Sequence, residues 1–317
     1  MKKLTLHLGM HRCASTTTQN LLRANRALLA ERGIGVILRA DMEAMPALDM
    51  RLWHRRYKLD PRGWGAVERF VDAVDAMAEP HVVVSEENLV GTMPGVLDRQ
   101  FYPHFEHLLN RLASLKARFD LQLRFVMRRQ DRYLESVYAF RVARGLAEDF
   151  DSFRASFPPA AFDWTKITAA LDKYGLAGQN RIAVMDDWRG PALNRHLATL
   201  LGLETEGLVL KSRGNPSLPA VHLPLLLAMN HAGAMPDQTE RKVKLLPMLS
   251  ALAELDLDAV ATLLSAEDAR KAEENLDAKV CTGFTNSSRA AFLNLYQGAN
   301  RQFLEQASVK ADASVWN

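Results

Sequence analysis

The sequence predicts an α/β protein: a three-layer parallel sheet with helices on both faces, plus a carboxy-terminal helical extension. Three observations carry this prediction. Short apolar runs alternate with amphipathic, helix-spaced runs through about Leu203. From Pro219 onward only helical periodicity appears, in "LPAVHLPLLLAMN", "VKLLPMLSALAEL" and "SSRAAFLNLYQGANRQFLEQ". Between the two parts lies a loop-like stretch, "LKSRGNPSLPA", from Leu210 to Ala220.

The elements follow in order. "LTLHLG" alternates and ends in glycine, as a strand meeting a turn does. From about Thr16 to Glu31, Leu21, Leu22, Leu28 and Leu29 recur at helical spacing. "GIGVILR" reads as a strand, "WGAVERFVDAVDAMA" as a helix, and "HVVVSEEN" as an apolar strand ending in two carboxylates. "FYPHFEHLLNRLASLKARF" is a helix and "LQLRFVMRR" a strand. "DRYLESVYAFRVARG" is a helix closed by Gly145. A helix after Pro158-Pro159, the strand "RIAVMD" and the helix "PALNRHLATLLGL" complete the alternation. Residues 1–209 are expected to form the α/β core. Residues 210–317 are expected to add a loop and helices packed on it, as one structural domain. The polar tail "KADASVWN" is expected to fray.

Composition narrows the classes of function. The 317 residues are 48% hydrophobic and 24% charged, ample for a full core. A net charge of +3 does not argue for nucleic-acid binding. Cys13 and Cys281 have no metal-ligand spacing and make no disulfide framework, so a reduced, cytoplasmic setting and no metal are expected. "MKKLTLHLGMHR" has a basic start but no apolar core, so it does not read as a signal peptide. The apolar run from Leu223 to Met229 is far too short to span a bilayer.

The chemistry is concentrated in "LGMHRCASTTTQNLL". A loop between a strand's carboxyl end and a helix offers free backbone N–H groups and the positive end of the helix dipole, which together bind phosphate or sulfate. Ser15, Thr16 and Thr17 add hydroxyls, and Arg12 adds a permanent charge. The plainer reading makes Ser15 or Thr16 a helix cap. A cap, however, requires neither Gly9 nor Arg12. An ATP-type loop needs a second glycine and a lysine before its hydroxyl. Here Ala14 stands at the glycine and the charge comes earlier, at Arg12. No strand was read as ending in a single Asp that would hold magnesium.

Taken with "RFVMRRQDRYLESVY", this loop resembles the phosphosulfate loop and 3′-phosphate motif of sulfotransferases that use 3′-phosphoadenosine 5′-phosphosulfate (PAPS), above all bacterial members. Their loop reads H-x-G-x-x-K-x-G-[ST]-[ST]. The likeness extends to "VVVSEENL", "DKYGLAGQNRIAVMDDW", "GNPSL" and "GANRQFL". It implies a P-loop-like sulfotransferase fold with PAPS as donor. The donor would be held by Gly9, His11, Arg12, Cys13, Ala14, Ser15, Thr16 and Thr17. It implies that Arg128 and Ser136, eight residues apart, grip the 3′-phosphate, with Lys211 and Arg213 reaching it from the loop before "GNPSL". Arg12 replaces the family lysine and Ala14 the family glycine.

The implied reaction transfers a sulfuryl group to an acceptor hydroxyl or amine, and the acceptor needs a general base. Glu86 and Glu87 lie just past a strand's carboxyl end. One of the two is expected to face the cleft, with a slight preference for Glu86. His54, in the aromatic and basic segment "RLWHRRYK", is the other contender, and that segment, with Trp53 and Tyr57, suits a sugar acceptor. The expected partner is a small molecule or carbohydrate, with no nucleic acid and no membrane span. A homodimer is left open. Two alternatives stand beside this reading: a P-loop-like small-molecule kinase, and a non-catalytic homologue that binds PAPS or its product 3′-phosphoadenosine 5′-phosphate (PAP).

Overall fold

The computed structural model describes residues 1–53, 65–95, 99–188, 192–210, 222–231, 283–306, 308–310 and 316. Six parallel strands form one sheet: β1 (Lys2–His7), β2 (Ile34–Ile37), β3 (His81–Ser85), β4 (Phe119–Met127), β5 (Asn180–Val184) and β6 (Val309–Lys310). Their spatial order is β2-β3-β1-β4-β5-β6. The inner strands are covered on both sides, so β3 reads as an apolar run, while β1 and β4 bury Thr5, His7 and Arg124 among their apolar residues. Leu4, Leu6, Val82, Val83, Leu123 and Phe125 are all buried.

The helices are α1 (Ser15–Ala24), α2 (Arg26–Glu31), α3 (Arg39–Ala44), α4 (Ala66–Asp75), α5 (Phe105–Ser114), α6 (Gln130–Val142), α7 (Phe150–Ala155), α8 (Thr165–Lys173), α9 (Ala192–Leu200), α10 (His222–His231), α11 (Asn286–Asn294) and α12 (Gln297–Leu304). The chain leaves β1 toward β2 in one direction, whereas β2–β3, β3–β4 and β4–β5 all run the other way. With right-handed crossovers, α1 and α2 cover one face and α4, α5 and α8 the other. Packing agrees for α5 and α8, which meet, while α9, within the long β5–β6 connection, packs on α1. The expected α/β architecture with an all-parallel sheet is present. Among the described residues, no helix is long and apolar enough to cross a membrane.

Three expectations need correction. The single helix from Thr16 to Glu31 is two, broken at Asn25. The buried Asn25 side chain turns to long-range partners. Its Nδ2 donates to Leu21 O (2.8 Å) and Val209 O (3.1 Å), and its Oδ1 accepts from Val209 N–H (2.7 Å). A polar side chain that ties down a distant loop outweighs the local helical pattern. Second, the carboxy-terminal segment is not purely helical, because β6 pairs with β5 through Ile182–Val309 and Ala183–Lys310. Third, the tail does not simply fray, because Trp316 is buried and stacks on Phe303 at 5.8 Å.

The segment carrying α11 is fastened to α6 by matched charges. Asp131 accepts a two-pronged contact from Arg129 (2.7 and 2.9 Å) and another from Arg289. Arg289 also reaches Glu135 at 2.7 Å, and Glu135 accepts the Gly283 N–H at 3.0 Å. Both acids are buried, so removing any one partner would leave an uncompensated charge.

Candidate functional site: an arginine-rich anion loop

The connections from β1 and β4 leave in opposite directions, so the crevice between their carboxyl ends is the topological switch point of the sheet. The loop after β1 lies there, and so does Arg128 at the end of β4. The loop turns at Met10, whose carbonyl accepts the Cys13 N–H at 3.1 Å. Arg12 and Ala14 both take left-handed backbone angles, at φ 63° and 59°, and Cys13 between them does not. Alternating handedness of this kind turns successive N–H groups inward as an anion-binding nest. Such angles cost an L-residue roughly 1–2 kcal/mol each, a strain that collects at functional sites. Ala14 thus occupies a glycine-type position.

The hydroxyls do not cap the helix. Ala14 is the N-cap residue and makes no side-chain bond. The first helical bond runs from Thr18 N–H to Ala14 O, so the amides of Ser15, Thr16 and Thr17 lie ahead of the ladder. Ser15 Oγ instead donates to Glu87 Oε2. Gly9 is fixed by space: a Cβ there would lie 3.0 Å from both His7 Cε1 and Ser15 Cβ. The buried His7 shares a hydrogen bond with Ser85 Oγ (2.8 Å), and its Nε2 has no partner among the described residues. Cys13 is fully buried, and burial pushes its thiol up to about 12. It offers the site its backbone rather than a nucleophile.

Three guanidinium groups converge on this loop. Arg12 Nε donates to Ser136 Oγ at 3.1 Å, and Arg128 Nη1 donates to the Arg12 carbonyl at 3.3 Å. The Phe140 ring lies 5.0 Å from the Arg12 guanidinium and 3.5 Å from that of Arg144. Burial, followed by the charges of Arg128 and Arg144, lowers the Arg12 pKa. Among the described residues, Arg128 Nε is buried without a hydrogen bond, and it pairs with Asp186 at 3.7 Å. Asp186 is itself engaged, accepting the Arg129 N–H at 2.6 Å. Among the described residues, Arg12 pairs with no carboxylate. Arg128 and Ser136 thus both contact Arg12, and Arg129 points away to Asp131.

The two glutamates separate clearly. Glu86 is fully buried and receives Arg39 through both oxygens, at 2.9 and 2.6 Å. The Asn88 N–H (2.9 Å) and Nδ2 (2.7 Å) donate to it as well. Burial would raise its pKa, but the Arg39 fork and the Asn88 amide more than offset this and hold it low. Glu86 is thus an anchor for the turn after β3, and the preference shifts to Glu87, the carboxylate on Ser15. His11 is set beside them. Its Nδ1 bonds Tyr102 Oη at 2.9 Å, its Nε2 bonds Asn88 Oδ1 at 3.2 Å, and burial leads a net lowering of its pKa.

His54, Lys211, Arg213, Tyr57 and the "GNPSL" loop lie outside the described residues. Trp53 does not offer a sugar platform: it is fully buried, edge-on to Phe70 at 5.2 Å. Arg39, Asn88, Tyr102, Phe140 and Asp186 were not foreseen. For Asp186 the signal lies in "RIAVMD", an apolar strand ending in acid. Comparison with protein-family models, with curated proteins and with solved structures finds no match to this chain.

Two predictions follow from the loop. Ala14→Gly should relieve left-handed strain against a larger unfolded-state entropy, for a net gain of roughly 0.5–1 kcal/mol. Gly9→Ala should cost about 1–3 kcal/mol through overpacking. Urea denaturation measures both, and equal midpoints for the two variants would refute the loop geometry. The second concerns pH. Burial holds His7 and His81 down to about 4, against an ordinary value of 6.5. The unfolded chain then binds more protons, so this stability is complete above pH 6.5 and lost as pH falls toward 4. Glu86, held below its ordinary 4.5, adds a further loss below that value. Imidazole NMR should find two histidines still neutral at pH 5.5; titration of all nine near 6.5 would contradict the burial.

Proposed function

We propose that this protein is a sulfotransferase that uses PAPS, with the loop from Gly9 to Thr17 holding the phosphosulfate and Arg128 with Ser136 holding the 3′-phosphate. The observation that carries the reading is the excess of positive charge at the switch point. Arg12, Arg128 and Arg144 gather around a nest of loop amides, and among the described residues Arg12 forms no ion pair. A dianionic ligand with phosphate and sulfate oxygens fits such a donor set, because guanidinium forks match those oxygens.

The donor brings an activated sulfuryl group; the chain's own residues do the rest. Arg12, the loop amides and the hydroxyls of Thr16 and Thr17 stabilise negative charge growing on the leaving 5′-phosphate oxygen. Arginine keeps its proton, so Arg12 acts by charge alone. As the acceptor oxygen bonds to sulfur, its proton passes to Glu87, which sits on Ser15 at the loop. His11, held by Tyr102 and Asn88, borders the same space. A carbohydrate hydroxyl is the proposed acceptor.

One observation favours a second reading. A loop hydroxyl paired with a carboxylate, as in Ser15 and Glu87, also resembles the magnesium-holding pair of nucleotide-phosphate enzymes. In that kinase reading, activity depends on magnesium and ATP.

Incubation with sulfur-labelled PAPS and a panel of sugars tests the proposal by mass detection of sulfated product. Transfer should persist in EDTA and fall about 10²–10⁴-fold in Glu87→Gln, the usual range for loss of a general base. Transfer that requires magnesium and ATP would support the kinase reading. PAP binding with no transfer to any acceptor would leave a non-catalytic binder.

A further inference from the structure

A cavity of about 730 Å³ lies between α5 and α8, on the sheet face opposite α1. Its size suits a metabolite of moderate size. The walls combine an apolar floor, including Phe101, Phe105 and Ile167, with Lys166 at the exposed mouth. Glu106 is the one acid among the lining residues, and Lys173 Nζ (2.5 Å) and Tyr174 Oη (3.2 Å) already occupy it. With Glu106 so paired, Lys166, whose Nζ donates to Ala160 O at 2.8 Å, brings positive charge to the mouth beside the apolar floor.

Tyr102 belongs to this cavity and to the anion loop at once. Its hydroxyl accepts the His11 N–H at 3.0 Å and bonds His11 Nδ1 at 2.9 Å. Its backbone is left-handed at φ 46°, an outlier for an aromatic residue. An outlier on a wall shared by two sites points to a functional constraint, because the surroundings must hold it in place. We propose that the cavity binds a small organic anion with an apolar, aromatic-sized body, and that Tyr102 reports its occupancy to His11. An occupant packed beside Tyr102 would favour the conformation that fixes the His11 amide. Coupling between cavity and loop would then be reciprocal.

The probe is 1-naphthoate, with 1-naphthylmethanol as its neutral counterpart, titrated calorimetrically into the full chain without any nucleotide. Failure here therefore says nothing against the donor reading, and failure of that reading leaves this test intact. Naphthoate should bind saturably, at least five-fold tighter than the alcohol. Lys166→Ala should weaken it at least five-fold, and Ala160→Trp, at the exposed rim, should abolish it. Both positions are exposed, so these variants should fold. The His11 imidazole signal should shift on binding in the parent protein and stay fixed in Tyr102→Phe, which should retain naphthoate binding. No saturable binding, equal affinity for the alcohol, or indifference to both rim variants would overturn the site. A His11 signal that never moves would overturn the coupling.

Discussion

The gathering of like positive charge at one point of the sheet governs this site. Several part-buried arginines are matched to acids: Arg39 with Glu86, Arg51 with Asp49, Arg129 with Asp131, and Arg289 with Asp131 and Glu135. The buried Arg124 is held instead by the Leu123 and Gln179 carbonyls and by Gln122. Around the loop after β1, arginines meet one another. Arg128 donates to the Arg12 carbonyl and lies 3.7 Å from Asp186, and among the described residues Arg12 forms no ion pair. Like charges held together are costly, so a fold that gathers them at one place is complementary to an anion.

The sheet topology produces that gathering. β1 delivers the loop and β4 delivers Arg128 to adjacent strand ends, where the crossovers diverge. Ser136 and Phe140 are four residues apart on α6, and Arg144 follows just past its end, four residues further on. That spacing lines them up along the helix beneath Arg12. The αL angles at Arg12 and Ala14 then turn the loop amides toward the same point. Glu86 and Arg39 fix the turn that brings Glu87 onto Ser15. Neither arrangement needs a rare residue; each needs a strand end and a turn in register.

Much of this was legible in the sequence. Alternating apolar and amphipathic runs fixed the α/β class, because burial imposes periods of two and 3.6 on strands and helices. The eight-residue interval from Arg128 to Ser136 could be read because both lie on one strand–helix unit. Long-range pairing could not be read. Asn25 breaks a well-patterned helix for the sake of Val209, and β6 forms from residues whose polar neighbours suggested a frayed end. Glu86 and Glu87 are adjacent in sequence, and only the position of Arg39, forty-seven residues away, assigns one to structure and leaves the other at the loop. Trp53 likewise looked like a sugar platform until its burial against Phe70 was known.

The central claim is that the arginine cluster exists to hold an adenosine bisphosphate rather than a magnesium-bound triphosphate. Calorimetric titration of the full chain with PAP, and separately with Mg-ATP, tests it most directly. The account predicts saturable PAP binding, at least ten-fold tighter than that of Mg-ATP, and a loss of at least ten-fold in Arg128→Ala, about 1.4 kcal/mol. Tighter binding of Mg-ATP, or PAP binding unchanged by Arg128→Ala, would contradict it.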